Sequence, residues 1–401
     1  MDFSHFAAIP VVDGHIHFPH AGLMDDLVAM MEHSRVARAN LVSIPDLQAI
    51  NQNSALIYCK AHHPHRFYAS GALDYVQGWA DPARLPEILA SQVATLKAIG
   101  FDGLKIVEGK PMVRKMLGIP FDGPEYARVW AALEEQDFPV VFHVADPEEF
   151  WDAERCPDWA RAQGWFYGDG TFVLKEDLYA EVDRVLEQHP GLKIIFAHFY
   201  FLSADLARAG EFLDAHPNVC FDLTPGVEMY FNFARTLDAS RDFFIRYQDR
   251  LVYGTDIGAG AVHRDPLRGL DWADSLGRSW VVRRFLESGG PFAAPEGMGH
   301  WLGMDAGGFH GIALPPDVLD KIYRTNFERL FGPTPAPLNR DAALAELERQ
   351  AAVMDARAGE PVDGPARQVA RWLATVQENA PSPPRGEGWG EGETYPPPSP
   401  P

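Results

Sequence analysis

Val11-Val12-Asp13-Gly14-His15-Ile16-His17-Phe18 is the stretch on which the fold of this chain turns. Its apolar content is that of a β-strand, and side chains alternate across a strand. His15 and His17, at i and i+2, therefore share a face. Two imidazoles on one face can close on a single metal ion. Asp13 has the spacing to share that face and to hold a ring N–H of one histidine. A His-x-His pair alone also occurs at ordinary half-exposed strand positions, so its meaning depends on what later strands add.

Working outward, short apolar segments recur at residues 10–18, 40–45, 67–73, 103–107, 139–144, 193–198, 219–223 and 251–255. Val140-Val141-Phe142, Ile194-Ile195-Phe196 and Leu251-Val252-Tyr253 are continuous rather than alternating. Parallel strands buried on both faces read this way. Between them lie amphipathic stretches. Leu178, Val182, Val185 and Leu186 form one helical stripe, and Leu89, Val93 and Leu96 another. Gly100 and Gly191 stand where such helices stop. Strands alternating with helices in this number predict an α/β fold, a (β/α)8 barrel. A doubly wound sheet is the competing arrangement. Its Gly-rich fingerprint after the first strand is absent, and His-x-His stands there instead.

Two connections are long. Residues 146–175 are rich in Trp and Asp. Residues 258–315, between the eighth strand and the last helix, carry several glycines, three histidines and a helix predicted at 279–287. Loops of this length are lids, binding loops or partner surfaces. A helix at 317–331 closes the barrel, which is expected to occupy residues 1–333. Residues 334–379 read as a C-terminal helical extension with Leu344, Leu347 and Ala351 on one stripe, a face on which a homo-oligomer would pair. Residues 380–401, dominated by Pro and Gly, read as a disordered tail.

The chain has 401 residues, 46% of them hydrophobic, enough for a large buried core. A formal net charge of −21 excludes the basic footprint that nucleic-acid binding needs and disfavours an anionic membrane surface. Cys59, Cys156 and Cys220 are too few and too scattered for a disulfide framework or a zinc–thiolate site, which fits a reducing cytoplasm. The N-terminus has no leader pattern, and no apolar run reaches the ~18 residues of a membrane span. The expected protein is cytoplasmic, and its partner a small molecule.

The other chemistry-bearing residues fall at strand ends. His143 ends the fifth strand, His198 the sixth and Asp256 the eighth. In a parallel barrel those ends open onto one face, where active sites are built. His15, His17, His143, His198 and Asp256 then form a nitrogen and oxygen donor set suited to Zn²⁺, Mn²⁺ or Fe²⁺.

Asp13-Gly14-His15-Ile16-His17, the strand-end His143 and His198, and Gly254-Thr255-Asp256 resemble the amidohydrolase superfamily. The resemblance is to its amidohydrolase-2 branch, metal-dependent hydrolases and non-oxidative decarboxylases on a TIM barrel. It covers about residues 10–331, and the segment from Leu314 to Phe331 resembles the last helix of this branch. The resemblance implies that His15, His17 and His143 hold one metal, with Asp256 as ligand or general base and His198 as a catalytic histidine. A single Zn²⁺ is expected, with Mn²⁺ or Fe²⁺ as alternatives. Lys105, on the fourth strand, sits where some branches carry a carboxylated lysine bridging two metals; here it is read as a substrate or structural contact, with the metal bridge as the alternative. Glu108 and Lys110 read as loop charges.

The expected reaction is hydrolysis of an amide, ester or lactone by metal-activated water. Asp256 takes the water proton and passes it to the leaving group, and His198 stabilises the developing oxyanion. A non-oxidative decarboxylase, a carbon–carbon lyase, would use the same residues. A third reading is a non-catalytic metal-binding interaction protein whose extension and tail do the work. Trp151, Tyr230, His263 and Arg264 fall in loops of the active face, with Arg264 or Lys105 suited to a substrate carboxylate. His300 and His310 are candidate lid residues.

Overall fold

The computed structural model describes residues 1–46, 50–259, 270–298 and 308–376. β1 (Val11–His17), β2 (Val36–Val42), β3 (Phe67–Gly71), β4 (Gly103–Gly109), β5 (Val140–Val144), β6 (Ile194–Phe196), β7 (Val219–Asp222) and β8 (Leu251–Val252) pair in parallel and in chain order. The chain after β8 returns to β1. Gly14 N–H donates to Tyr253 C=O at 2.9 Å, Asp256 N–H to His15 C=O at 2.9 Å and His17 N–H to Ile257 C=O at 2.8 Å. With helices between the strands, this is the (β/α)8 TIM barrel that the alternation predicts.

The barrel interior is apolar at its N-terminal end. Val12, Val42, Tyr68, Val141, Ile195, Cys220 and Val252 converge there and pack against Phe327, Leu330 and Phe331 of the helix Asn326–Phe331. Phe327 stacks on Phe331 with centroids 4.4 Å apart and meets Tyr68 edge-on at 5.0 Å. The last helix thus plugs the barrel. Gly14 is required here: a Cβ at that position would stand 3.0 Å from Val252, 3.1 Å from Tyr253 C=O and 3.2 Å from Phe327.

The predicted helical stripes are buried as expected: Leu178, Val182, Val185 and Leu186 in the helix Lys175–Gln188, and Leu89, Val93 and Leu96 in Leu85–Ile99. Gly100 ends the latter helix at φ +99°, with Pro337 C=O packed where a Cβ would project. The former stops earlier than Gly191, at His189-Pro190, because proline cannot continue a helix. β2 begins at Val36, four residues before the predicted segment. Arg38 obscured its start: the guanidinium reaches down to Glu328 and Pro333 C=O at the plugged end, so a charged residue sits inside a barrel strand. β6 ends at Phe196 rather than 198, for a reason that belongs to the site.

The helix predicted at 279–287 runs over Trp272–Glu287, followed by a hairpin of Gly289–Phe292 with Phe309–Ile312. The loop after β5 has its own apolar centre. Phe150, Cys156, Ala160 and Tyr167 are packed by Trp151, Trp159, Trp165, Phe166, Phe172 and Val227, forming an aromatic cap. Helices Arg340–Ala358 and Pro365–Thr375 pack on each other and on Leu85–Ile99 and Asn53–His62. The extension is therefore laid along the barrel flank. Residues 380–401 lie outside the described residues. Among the described residues, no helix is long and apolar enough to cross a membrane.

Candidate metal centre

β1 delivers His15 and His17 to the C-terminal mouth with ring centroids 5.2 Å apart. Asp256, just past β8, meets them from across the closure: its Oδ1 lies 3.3 Å from His17 Nε2 and 3.7 Å from His15 Nε2. One donor atom from each of the three lies within 4.8 Å of the others, so together they could hold a metal ion. Asp256 takes a left-handed backbone, φ +59°, which turns its carboxylate back over β1. Non-glycine residues pay for such backbone with strain, and it clusters at functional sites.

The pair-on-one-face expectation holds for the two histidines and fails for Asp13. A register irregularity between Asp13 and Ile16 interrupts the alternation. A bulge of this kind re-aims side chains. Asp13 instead accepts from His15 N–H at 3.1 Å and from Thr255 Oγ1 at 2.6 Å, and burial raises its carboxyl to about 7. The group that holds His15 is Asp222, the last residue of β7. Its Oδ2 lies 2.8 Å from His15 Nδ1. A carboxylate there keeps the proton on Nδ1 and leaves the Nε2 lone pair facing the centre.

His198 is positioned by unusual backbone. Residues 198–201 all take left-handed φ, from +49° to +56°. That conformation costs about 1–2 kcal/mol per residue for L-amino acids, and it is why β6 ends early. The turn is held by His198 N–H, which donates to Asp222 Oδ1 at 2.8 Å and Thr224 Oγ1 at 3.2 Å. It brings the His198 ring to 6.0 Å from His15 and 5.0 Å from His143, centroid to centroid. His143 is at the mouth but outside the three-residue donor cluster. Its Nε2 donates to Ala145 C=O at 3.0 Å and faces Asp146 at 3.4 Å.

Charge around the centre is unevenly distributed. Burial holds the His15, His17 and His143 rings below their usual range, and lowers His198 to about 3. All four are neutral near pH 7. Burial works to raise the Asp256 carboxyl, but the hydrogen bond from His17 leads in holding it well below the carboxylate range. Lys105 places Nζ 3.0 Å from His15 Nε2, and burial lowers it to about 8. The donor set fits a divalent ion by three observations. Its imidazoles are neutral, the His15 lone pair lies on Nε2 opposite the Asp222 contact, and His17 Nδ1 is buried without a hydrogen-bond partner among the described residues.

Several site residues escaped the sequence. Asp222 is the last residue but one of a predicted segment, 219–223, and a search for acids near strand ends would have found it. Arg278, on the long helix Trp272–Glu287, carries no sequence signal; its Nη1 lies 3.4 Å from Asp256 Oδ2 and its Nε 2.8 Å from Asp274. Lys110 is no idle loop charge, since it grips both oxygens of Asp146 at 2.9 Å. Glu108 likewise accepts from Tyr75 Oη at 2.6 Å in the interior. The expectation for Tyr230 is corrected: its hydroxyl donates to Leu223 C=O at 2.7 Å and its ring packs on Phe285, so it builds the core. Trp151 belongs to the aromatic cap, its Nε1 donating to Val173 C=O. His310 lies on the hairpin with its ring against Gly311 C=O. His263, Arg264 and His300 lie outside the described residues.

The model of the amidohydrolase family matches residues 12–333. No curated protein matches the chain. Among solved structures, the chain is similar to a putative amidohydrolase from Staphylococcus aureus at 14% identity, covering 81% of this chain and 100% of that one, with a TM-score of 0.49. It is similar to a 2,6-dihydroxybenzoate decarboxylase from Rhizobium at 16% identity, covering 80% and 98%, TM-score 0.49. A 5-carboxyvanillate decarboxylase from Sphingomonas paucimobilis is similar at 14% identity, covering 81% and 99%, TM-score 0.47.

Proposed function

The chain belongs to the amidohydrolase family, and on that premise we propose that it is a metal-dependent hydrolase of an amide, ester or lactone bond in a small molecule. The observation that carries this reading is the state of Asp256 and His198. Both face the centre as proton acceptors.

Asp256 is kept ionised by the hydrogen bond from His17. At His198, Nδ1 faces Thr224 C=O at 3.3 Å and Thr224 Oγ1 at 3.2 Å. The Thr224 hydroxyl proton is already directed at Asp222. Both Nδ1 partners therefore accept, so the ring proton sits on Nδ1 and the lone pair on Nε2. This changes the role expected of His198. It takes a proton or a hydrogen bond from an attacking water rather than donating to an oxyanion. Donation to the developing negative charge falls to Lys105, the buried cation beside His15.

His15, His17 and Asp256 would hold one divalent ion, and this N, N, O set suits Zn²⁺. When bound, such an ion supplies Lewis-acid polarisation and makes a coordinated water more acidic. Asp256 accepts the water proton and returns it to the leaving group. Its low proton affinity makes it a modest base and a strong acid, so the return is the easier half. Arg278, anchored on Asp274, holds the outer Asp256 oxygen in place.

A second reading, non-oxidative decarboxylation, is favoured by one feature. Lys105 and Arg278 are two cations on one centre, suited to a substrate carboxylate. At Asp256 and His198 it starts without a proton for carbon, since the first is ionised and the second neutral before substrate binds. The test is product analysis on zinc-loaded protein with known metal stoichiometry, over a panel of amides, esters, lactones and carboxylic acids. Acid plus amine or alcohol is expected, with one metal per chain. Carbon dioxide as the product would replace hydrolase by lyase, and a protein that binds no ion would defeat both.

A further inference from the structure

One buried group plays no part in the centre described above. Glu228, in the loop that leads from β7 into the helix Met229–Arg235, is 6% exposed, and neither carboxylate oxygen has a hydrogen-bond partner among the described residues. A buried, unpartnered carboxylate is costly and is retained for a reason other than stability. Its neighbour in sequence, Val227, packs against the aromatic cap.

A second under-used group stands close by. Lys175 opens the helix that follows the cap, and its ammonium donates to Phe201 C=O at 3.2 Å. Phe201 is the last residue of the left-handed turn, and its ring lies 5.5 Å from His143 and 5.2 Å from His198. The helix that Glu228 leads into is tied to the chain just past Phe201, since Asn232 Nδ2 donates to Ser203 Oγ at 3.0 Å, yet Lys175 and Glu228 form no ion pair with each other. Burial raises Glu228 to about 8 and lowers Lys175. Asp146, Glu148 and Glu149 of the cap and Glu176 beside Lys175 also face this pair.

We infer that Glu228 and Lys175 form a second subsite of the same active face, one that takes a hydroxyl group of the substrate remote from the reacting bond. A hydroxyl is the group that can accept from an ammonium and donate to a carboxyl at once. A lone cation would leave Lys175 opposed, and a lone anion would leave Glu228 opposed. Val227, beside Glu228, packs against the rings of the cap, so the hydroxyl is carried on an apolar, preferably aromatic, body. This assignment rests on the proposed hydrolase reading for where the reacting bond lies, and on the two side chains for everything else.

The test has two arms on the full-length, zinc-loaded protein. In the first, the melting temperatures of Glu228→Gln and Glu228→Leu are compared with the parent. A ligand-awaiting carboxyl should be relieved by either change, so both variants should melt higher. Lower melting in both would show that Glu228 has a structural partner, and would overturn the inference. In the second, calorimetry compares 4-hydroxyphenylacetamide with phenylacetamide. The parent should bind the hydroxylated amide about 10-fold or more tightly. Glu228→Leu and Lys175→Met should lose that preference while binding phenylacetamide as the parent does. Equal affinities in the parent, or a preference that survives both substitutions, overturns the hydroxyl subsite. Binding preference without hydrolysis of either amide supports the subsite and counts against the hydrolase reading instead.

Discussion

The two ends of this barrel are made from the same eight strands and have opposite chemistry. At the N-terminal end Val12, Val141, Ile195, Cys220 and Val252 meet Phe327 and Phe331 in a dry plug. At the C-terminal end the same strands deliver His15 and His17, His143, His198, Asp222 and Asp256. The plug is apolar and filled by side chains in ring contact. The mouth is polar, with neutral histidines, a strained turn and a buried ionised carboxylate. The difference separates stability from function along each strand. Substitutions at one end should read out in melting, and at the other in metal binding and turnover.

The largest expected effect is at the mouth. Asp256→Asn should cut kcat by about 10⁴-fold while leaving the melting temperature of the metal-free protein unchanged or higher. A variant that melts several degrees lower would mean that Asp256 also holds the closure between β1 and β8. At the other end, Phe327→Ala should cost about 3–5 kcal/mol of stability, read by urea titration, with zinc affinity intact. Zinc affinity falling in step with stability would erase the distinction between the two ends.

Zinc itself should act across the division. At 100 times its dissociation constant it should stabilise the protein by about 2.7 kcal/mol. Calorimetric melting should show the same increment in Phe327→Ala, since the plug touches no ligand. The smallest effect expected is that of Asp222→Asn. It removes the carboxylate that fixes the His15 tautomer, so zinc affinity should weaken by about 10- to 100-fold. An unchanged affinity in a competition titration would assign Asp222 to holding the His198 turn alone.

The barrel was legible in the sequence because its strands are continuous apolar runs and its helices keep a 3.6-residue stripe. β2 was placed late because Arg38 serves the plug from inside a strand. At the site, His15, His17 and Asp256 were legible as polar residues at the ends of apolar runs. Asp13 was assigned the task that Asp222 performs. Alternation assumes a regular strand, and β1 is irregular at that point. Tyr230 looked like a pocket aromatic, since sequence does not distinguish an aromatic that faces the mouth from one that faces Phe285.

What the sequence determined by itself was the order of strands and the position of reactive residues at their C-terminal ends. Both are local properties, set by hydrophobic period and by the polar residue that stops each run. Which atom faces the centre was decided only in three dimensions. The Nδ1 proton of His15 is set by Asp222, 207 residues away. The inward lone pair of His198 is set by Thr224 across a left-handed turn. The ionisation of Asp256 is set by the hydrogen bond from His17 of β1, which reaches it through barrel closure. Hydrogen bonds and burial between distant segments leave no local period in a sequence, and they decide the protonation on which the chemistry depends.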